Sequence, residues 1–135
     1  MSGFTSAILE AAMREREVDL TTYGRRTGRP ARVTLWVWGD GGRLYVRAGG
    51  GMGRDWPRNL LARGRGVLHV AGLDVPVRAR HVTDPAEARL GARLIERKYG
   101  RSVPASSGDE PLTPAEAATF ELLPGSPAQG ADRPG

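Results

Sequence analysis

The spacing of apolar residues predicts a helix at the start of the chain and a strand directly after it. Within residues 4–16, apolar side chains recur every three or four positions, which is the spacing of a helix with one buried face. From Val18 the period changes to two, so residues 18–23 are predicted to form a strand. Gly24 and Pro30 bound the segment that follows, which predicts a turn to a second strand.

Residues 31–38 carry apolar side chains on both faces of an alternating run. Val33, Leu35 and Val37 share one face, and Trp36 and Trp38 lie on the other. A run of this kind is typical of a strand that is covered on both sides. A domain of this size has few helices to cover a second face. The two tryptophans are therefore expected in the barrel core and at the interface of a homodimer.

The rest of the chain alternates short strands with two helices. Asp40-Gly41 predicts a hairpin, and Asp55 is predicted to cap a short helix that ends near Gly64. The other predicted elements are strands at 43–48, 67–71, 75–82 and 119–123, a glycine-rich loop at 49–53, a longer helix at 84–100 and a polar loop at 101–114.

These elements predict a mainly β fold of the α+β class. It is a six-stranded antiparallel barrel with an N-terminal helix, a short inserted helix and a helix in the C-terminal half. The connections between the early strands are too short for crossover helices, which argues against a parallel sheet. Residues 1–123 are expected to form the single domain, and residues 124–135, which contain no large apolar residue, a disordered tail.

The amino-acid composition and the missing motifs exclude several classes of protein. The 135 residues include no cysteine, which excludes a disulfide scaffold, a thiolate nucleophile and cysteine-ligated metals. Signatures of serine hydrolases and zinc peptidases are absent, and His69 and His81 are not at ligand spacing, so no metal site is expected. Without a membrane span or signal peptide, the chain is expected to be soluble and cytoplasmic.

Charge is unevenly distributed along the chain. The overall formal charge is +5, but residues 24–80 contain twelve arginines and three aspartates, a net charge of +9. A basic segment of this kind indicates an anionic ligand, either a phosphorylated small molecule or nucleic acid.

The most informative motif lies in residues 20–36, which read LTTYGRRTGRPARVTLW. Gly24 and Gly28 allow a tight turn and a close approach of the backbone to a bound group. Four arginines fall within eight positions, and arginine binds phosphate bidentately. The alternative interpretation is an exposed arginine-rich hairpin tip. The four are Arg25, Arg26, Arg29 and Arg32.

This motif resembles the T-T-x-G-R-x-T-G-x-P-R signature of the deazaflavin-dependent nitroreductase family. That family belongs to the split-barrel flavin reductases and is related to the pyridoxamine phosphate oxidases. The resemblance continues through Asp40-Gly41, the glycine-rich loop, the Trp56-Pro57-Arg58-Asn59-Leu60 segment and residues 78–83, so that it spans about 80 residues.

The resemblance implies a dimeric split barrel that binds a cofactor at the edge between its subunits. The cofactor that it implies is the deazaflavin coenzyme (factor 420) or FMN, and the implied activity is hydride transfer to a small organic acceptor. No residue is assigned to catalysis, since the cofactor carries the chemistry. The cofactor-binding residues implied are Arg25, Arg26, Thr27, Gly28, Arg29, Arg32, Thr34, Gly49, Gly50, Gly51, Arg54, Trp56 and Asn59.

Two departures from the family argue against nitroreduction as the activity. Ala48-Gly49 stands where typical members have a Ser-Lys pair, and the C-terminal tyrosine cluster is absent. A non-catalytic flavin-binding protein and an arginine-rich barrel that binds nucleic acid are the alternatives. Nucleic acid is disfavoured because Trp36 and Trp38 lie in a run without arginine, whereas nucleic-acid platforms interleave aromatic and basic residues.

Overall fold

The computed structural model describes residues 3–125, which form four helices and seven strands. In chain order they are α1 (Ser6–Arg14), β1 (Val18–Tyr23), β2 (Pro30–Leu35), β3 (Trp38–Asp40), β4 (Arg43–Arg47), α2 (Asp55–Arg63), β5 (Arg65–Val70), β6 (Leu73–His81), α3 (Pro85–Tyr99), α4 (Pro114–Ala117) and β7 (Thr119–Pro124). No helix in this part of the chain is long and apolar enough to cross a membrane.

The strands form one antiparallel sheet in the order β2-β1-β5-β6-β7-β4-β3. The two edges of the sheet are therefore β2 and β3, which follow each other directly in the chain. The sheet curls into a half-closed barrel whose interior holds Leu20, Leu44, Leu68, Val77 and Phe120. The predicted mainly β, antiparallel barrel is confirmed.

The strand count differs from the six predicted because residues 31–38 form two strands, not one. The chain leaves β2 after Leu35 and enters β3 at Trp38, at the opposite edge of the sheet. Side chains from the end of α3 supply hydrogen bonds at this break. The Val37 carbonyl accepts from Lys98 Nζ at 2.6 Å, and the Val37 N–H donates to the Tyr99 hydroxyl at 3.3 Å. These contacts join residues 61 and 62 positions apart, so the local spacing of apolar residues does not predict them.

Trp38 is 1% exposed within a single chain, because α3 packs across it. Its neighbours include Tyr45, Val82 and Ile95. The prediction that a second copy is needed to cover this face is therefore wrong for Trp38. Trp36 is half-buried and stacks on Tyr99, with ring centroids 4.1 Å apart.

The helix ends follow local rules at most positions. Asp84 caps α3 through a hydrogen bond from the Glu87 N–H, and Gly100 ends it in the left-handed conformation. The predicted cap at Asp55 is wrong, since Arg54 is the N-cap and Asp55 is the first residue of α2. In the predicted tail, Pro124 closes β7, and residues 126–135 lie outside the described residues.

Candidate cofactor site

A cavity of about 460 Å³ opens beside the break between β2 and β3. This volume is typical of small-molecule sites. All three tryptophans of the protein line it. The lining residues are Val33, Thr34, Leu35, Trp36, Trp38, Arg47, Ala48, Gly49, Gly50, Arg54, Trp56, Ile95, Val103, Pro104, Thr113, Pro114 and Ala115.

The structure brings together one group of the predicted site residues and leaves the other group outside the cavity. Those on the cavity wall are Thr34, Gly49, Gly50, Arg54 and Trp56, and Gly51 lies against Pro114 behind the wall. Those that do not line the cavity are Arg25, Arg26, Thr27, Gly28, Arg29, Arg32 and Asn59.

The turn at residues 24–29 is held against α2 by side-chain hydrogen bonds. The buried Asn59 side chain accepts from the Arg25 N–H at 3.0 Å and from Arg25 Nη1 at 2.8 Å. Arg25 also pairs with Asp55 at 3.4 Å, and Arg63 donates to the Gly24 carbonyl. Gly28 adopts a positive φ of 73°, which glycine tolerates without strain. Asn59 therefore supports the arginine-rich turn and not the glycine-rich loop.

The other predicted arginines are on the surface. Arg32 donates to Asp19 at 2.8 Å, and Thr34 donates to the same carboxylate at 2.6 Å. These hydrogen bonds, first that of Thr34 and then that of Arg32, hold the pKa of Asp19 below its ordinary value. Arg26 and Arg29 are exposed on the turn, where the Arg29 N–H donates to Thr27 Oγ1 at 3.1 Å.

The glycine-rich loop contains glycines of two kinds. Gly51 has a φ of +85°, and a Cβ there would lie 2.9 Å from the Cβ of Pro114, so the fold requires glycine. Gly49 and Gly50 lack positive φ values. A Cβ on Gly49 would meet nothing within 4 Å, and one on Gly50 would meet only Arg54 Nε, at 3.8 Å. Neither backbone strain nor packing explains these two glycines, and both lie on the cavity wall.

We predict that Gly49→Ala and Gly51→Ala have opposite effects on stability. Gly51→Ala should lower the free energy of unfolding by roughly 2 kcal/mol, because it combines left-handed strain with a steric clash. Gly49→Ala should leave it unchanged or raise it by up to about 1 kcal/mol, since alanine restricts the unfolded chain. Urea unfolding of both variants measures this, and equal losses would contradict the distinction.

Residues 103–115 build a part of the cavity wall that the sequence pattern predicted only as a polar loop. Buried Glu116 pins this segment by accepting from the Ser106 N–H and hydroxyl and from the Thr113 N–H, at 3.1, 2.6 and 2.9 Å. Burial pushes the pKa of Glu116 up, but these hydrogen bonds outweigh it and hold the pKa below its ordinary value. Thr113-Pro114-Ala115-Glu116 is a capping box, a motif that the sequence displays.

The charged residues on the cavity wall are both arginines. Arg47 ends β4 and Arg54 is the N-cap of α2, and no aspartate or glutamate of the described part of the chain lines the cavity. Arg54 is exposed, and it makes no ion pair with the described residues. Within residues 3–125, no three histidine or carboxylate side chains are placed to hold a metal ion. The cavity therefore favours a ligand with apolar and anionic parts.

Comparison with protein families finds one match. The model described as "Uncharacterized protein conserved in bacteria (DUF2255)" matches residues 8–122. Comparison with curated proteins gives no match.

Solved structures resemble the whole fold. A conserved hypothetical protein from Mycobacterium tuberculosis is 17% identical with a TM-score of 0.63, covering 93% of this chain and 82% of its own. A FAD-binding protein from Mesorhizobium loti is 15% identical with a TM-score of 0.59, covering 91% of each chain. An F420-H2 dependent reductase is 17% identical with a TM-score of 0.56, covering 81% of this chain and 94% of its own. The chain thus has the split-barrel fold that its motifs predict.

Proposed function

Because this chain belongs to the DUF2255 family of uncharacterized bacterial proteins, we propose its function from its own site. It is a split-barrel oxidoreductase that binds reduced deazaflavin (factor 420) or FMN and transfers hydride to a small organic acceptor. The observation that carries this proposal is the cavity of about 460 Å³, lined by three tryptophans and exposed glycine backbone, whose charged lining residues within residues 3–125 are all arginines.

The residues present suit a flat ring that carries an anionic tail. Half-buried Trp36 supplies accessible aromatic surface, and buried Trp38 and Trp56 complete the apolar lining. Gly49 and Gly50 leave backbone accessible where no packing demands a glycine. Exposed Arg54 at the start of α2 supplies a cation for a phosphate or carboxylate. The FAD-binding protein and the F420-H2 dependent reductase of the same fold support a cofactor of the flavin type.

Among residues 3–125, no side chain on the cavity wall is suited to proton transfer near neutral pH. The lining contributed by these residues includes no aspartate, glutamate, histidine, cysteine, tyrosine or lysine. When bound, a reduced flavin or deazaflavin would supply the hydride, and its oxidation would also release the one proton that the acceptor takes up with that hydride. The chain's own contribution is to bind and orient the two molecules and to exclude water. A binding protein without turnover would use the same cavity, and acceptor-dependent oxidation of the cofactor distinguishes the two.

The contacts of two of the four predicted arginines weigh against nucleic-acid binding. Arg25, on the turn, contacts Asn59 and Asp55, and Arg32, on β2, pairs with Asp19, so half of the four arginines already have partners within the chain.

Titration of FMN and of the deazaflavin coenzyme tests the proposed function. Arg54→Met should weaken binding by about 1.5–3 kcal/mol, since one charge-assisted hydrogen bond is lost. Arg26→Met is the matched control, because it removes the same charge from the exposed turn outside the cavity. Calorimetry measures both. Failure of the wild type to bind either cofactor rejects the function, and equal losses in both variants reject this cavity as the site.

The proposal includes a homodimer. Strand β2 is an edge of the sheet, and Pro30, Ala31, Arg32 and Thr34 on it are exposed. Val33 and Thr34 also line the cavity, so a second copy along β2 would help to enclose a bound cofactor. Sedimentation velocity with and without FMN checks this association.

A further inference from the structure

Arg47 is a partly buried cation on the cavity wall that has no carboxylate partner. Its Nη2 donates to the Ala88 carbonyl at 3.0 Å, and its guanidinium lies 5.3 Å from the centroid of the Trp38 ring. Its Nε is buried and has no hydrogen-bond partner among residues 3–125. No carboxylate of the described residues lies within 4 Å of it.

The electrostatic setting of Arg47 is unfavourable without a ligand. Burial lowers the pKa of its guanidinium below the ordinary value, and the field of Glu116 opposes this effect. The carboxylate of Glu116 already accepts hydrogen bonds from Ser106 and Thr113. A charge that is partly removed from water and has no carboxylate in direct contact is less stable than a paired one, so the absence of such a carboxylate among residues 3–125 needs an explanation.

A glycine in helix α3 leaves room for the Arg47 side chain. Gly91 lies in the interior of α3, where glycine is less favourable than alanine. A Cβ at this position would lie 2.3 Å from Arg47 Nη2 and 3.2 Å from Arg47 Cζ. Any larger residue at position 91 would displace the guanidinium. The fold therefore contains a specific space for a cation beside the cavity.

The two arginines of the cavity have different surroundings. Arg54 is exposed at the start of α2, whereas Arg47 lies beside buried Trp38. An exposed cation suits the phosphate of a cofactor, and a cation among apolar groups suits the charge of a small substrate with an apolar body.

We propose that Arg47 binds the carboxylate of the acceptor substrate, so that the acceptor is a small organic acid with a flat apolar body. This inference rests on the proposed function, because only an oxidoreductase has an acceptor, and it names the chemical class of the acceptor that the same cavity would bind. Its binding test needs no cofactor.

Benzoate and its neutral analogue benzamide are the probes, and tryptophan fluorescence is the readout, since all three tryptophans line the cavity. The wild type should bind benzoate at least tenfold more tightly than benzamide. Arg47→Met should lose this preference, and Arg47→Lys should retain part of it. Arg78→Met, which removes an exposed arginine of β6 outside the cavity, should behave as the wild type.

Thermal unfolding separates ligand binding from a structural role. If the counter-charge of Arg47 is a ligand, Arg47→Met without ligand should unfold at the same temperature as the wild type or higher. A clear decrease would assign Arg47 to the fold and overturn the proposal. Equal binding of benzoate and benzamide to the wild type, or an unchanged preference in Arg47→Met, would also overturn it.

FMN and riboflavin distinguish the acceptor from the cofactor as the source of the anion. Arg47→Met should bind both as the wild type does. Weaker binding of FMN alone would assign Arg47 to the cofactor phosphate and overturn the proposal. Absence of FMN and deazaflavin binding, with the benzoate preference intact, would reject the proposed function and not the anion site.

Discussion

Trp38→Ala is expected to lower the free energy of unfolding by about 3–5 kcal/mol, the cost of removing a large buried aromatic side chain. Trp38 is 1% exposed, packs under α3 with Val82 and Ile95, and has its ring nearly parallel to that of Tyr45, with ring centroids 6.4 Å apart. The truncation would leave a cavity that this cluster cannot refill without moving the helix.

Urea unfolding followed by circular dichroism, at one protein concentration for all variants, measures this loss. Leu61→Ala is the control, because Leu61 is 50% exposed on α2 and its truncation should cost less than about 1 kcal/mol. If Trp38→Ala cost no more than this control, the burial of Trp38 by α3 would be refuted.

Glu116→Ala should lower the free energy of unfolding by about 3 kcal/mol and open the wall at residues 103–115. The substitution leaves the Ser106 and Thr113 N–H groups without their acceptor. Buried donors that lose a charged acceptor cost more than the net value of one hydrogen bond. Glu110→Ala is the matched control, since Glu110 is exposed and accepts from Ser107 in the same segment.

Acid pH should reduce the difference in the free energy of unfolding between the wild type and Glu116→Ala. The folded pKa of Glu116 lies below its ordinary value, so its contribution is present above the unfolded pKa and is lost as the pH falls through the folded pKa. Urea unfolding at neutral and acid pH measures the difference. A difference that stays constant, or that is no larger than for Glu110→Ala, would contradict the role assigned to Glu116.

The candidate site was only partly predictable. Gly49, Gly50, Arg54 and Trp56 lie in one stretch of chain after a strand, so they reach the cavity together. Arg47 was not predicted, because alternation along β4 says which face a residue takes but not what covers that face. The arginine-rich turn was recognised as a unit, but its closeness to Asn59 and Asp55 depends on how α2 packs.

The sequence by itself determined the elements whose signals are local. Asp84 and Gly100 at the ends of α3 follow from side-chain capping and from the conformational freedom of glycine, which act within a few residues. The hairpin predicted at Asp40-Gly41 forms for the same reason, with Asp40 paired to Arg43 and Gly41-Gly42 as the turn at positive φ. Period-two alternation likewise determined β1.

The tertiary structure decided the division of residues 31–38 into β2 and β3 and, with it, the cavity. The break depends on Lys98 and Tyr99, which are 61 and 62 residues from Val37 in the chain. The burial of Trp38 and the space for Arg47 depend on α3 in the same way. The local spacing of apolar and polar residues does not show which distant side chain donates a hydrogen bond to a carbonyl or covers one face of a strand. These features therefore depend on the packing of α3 against the sheet.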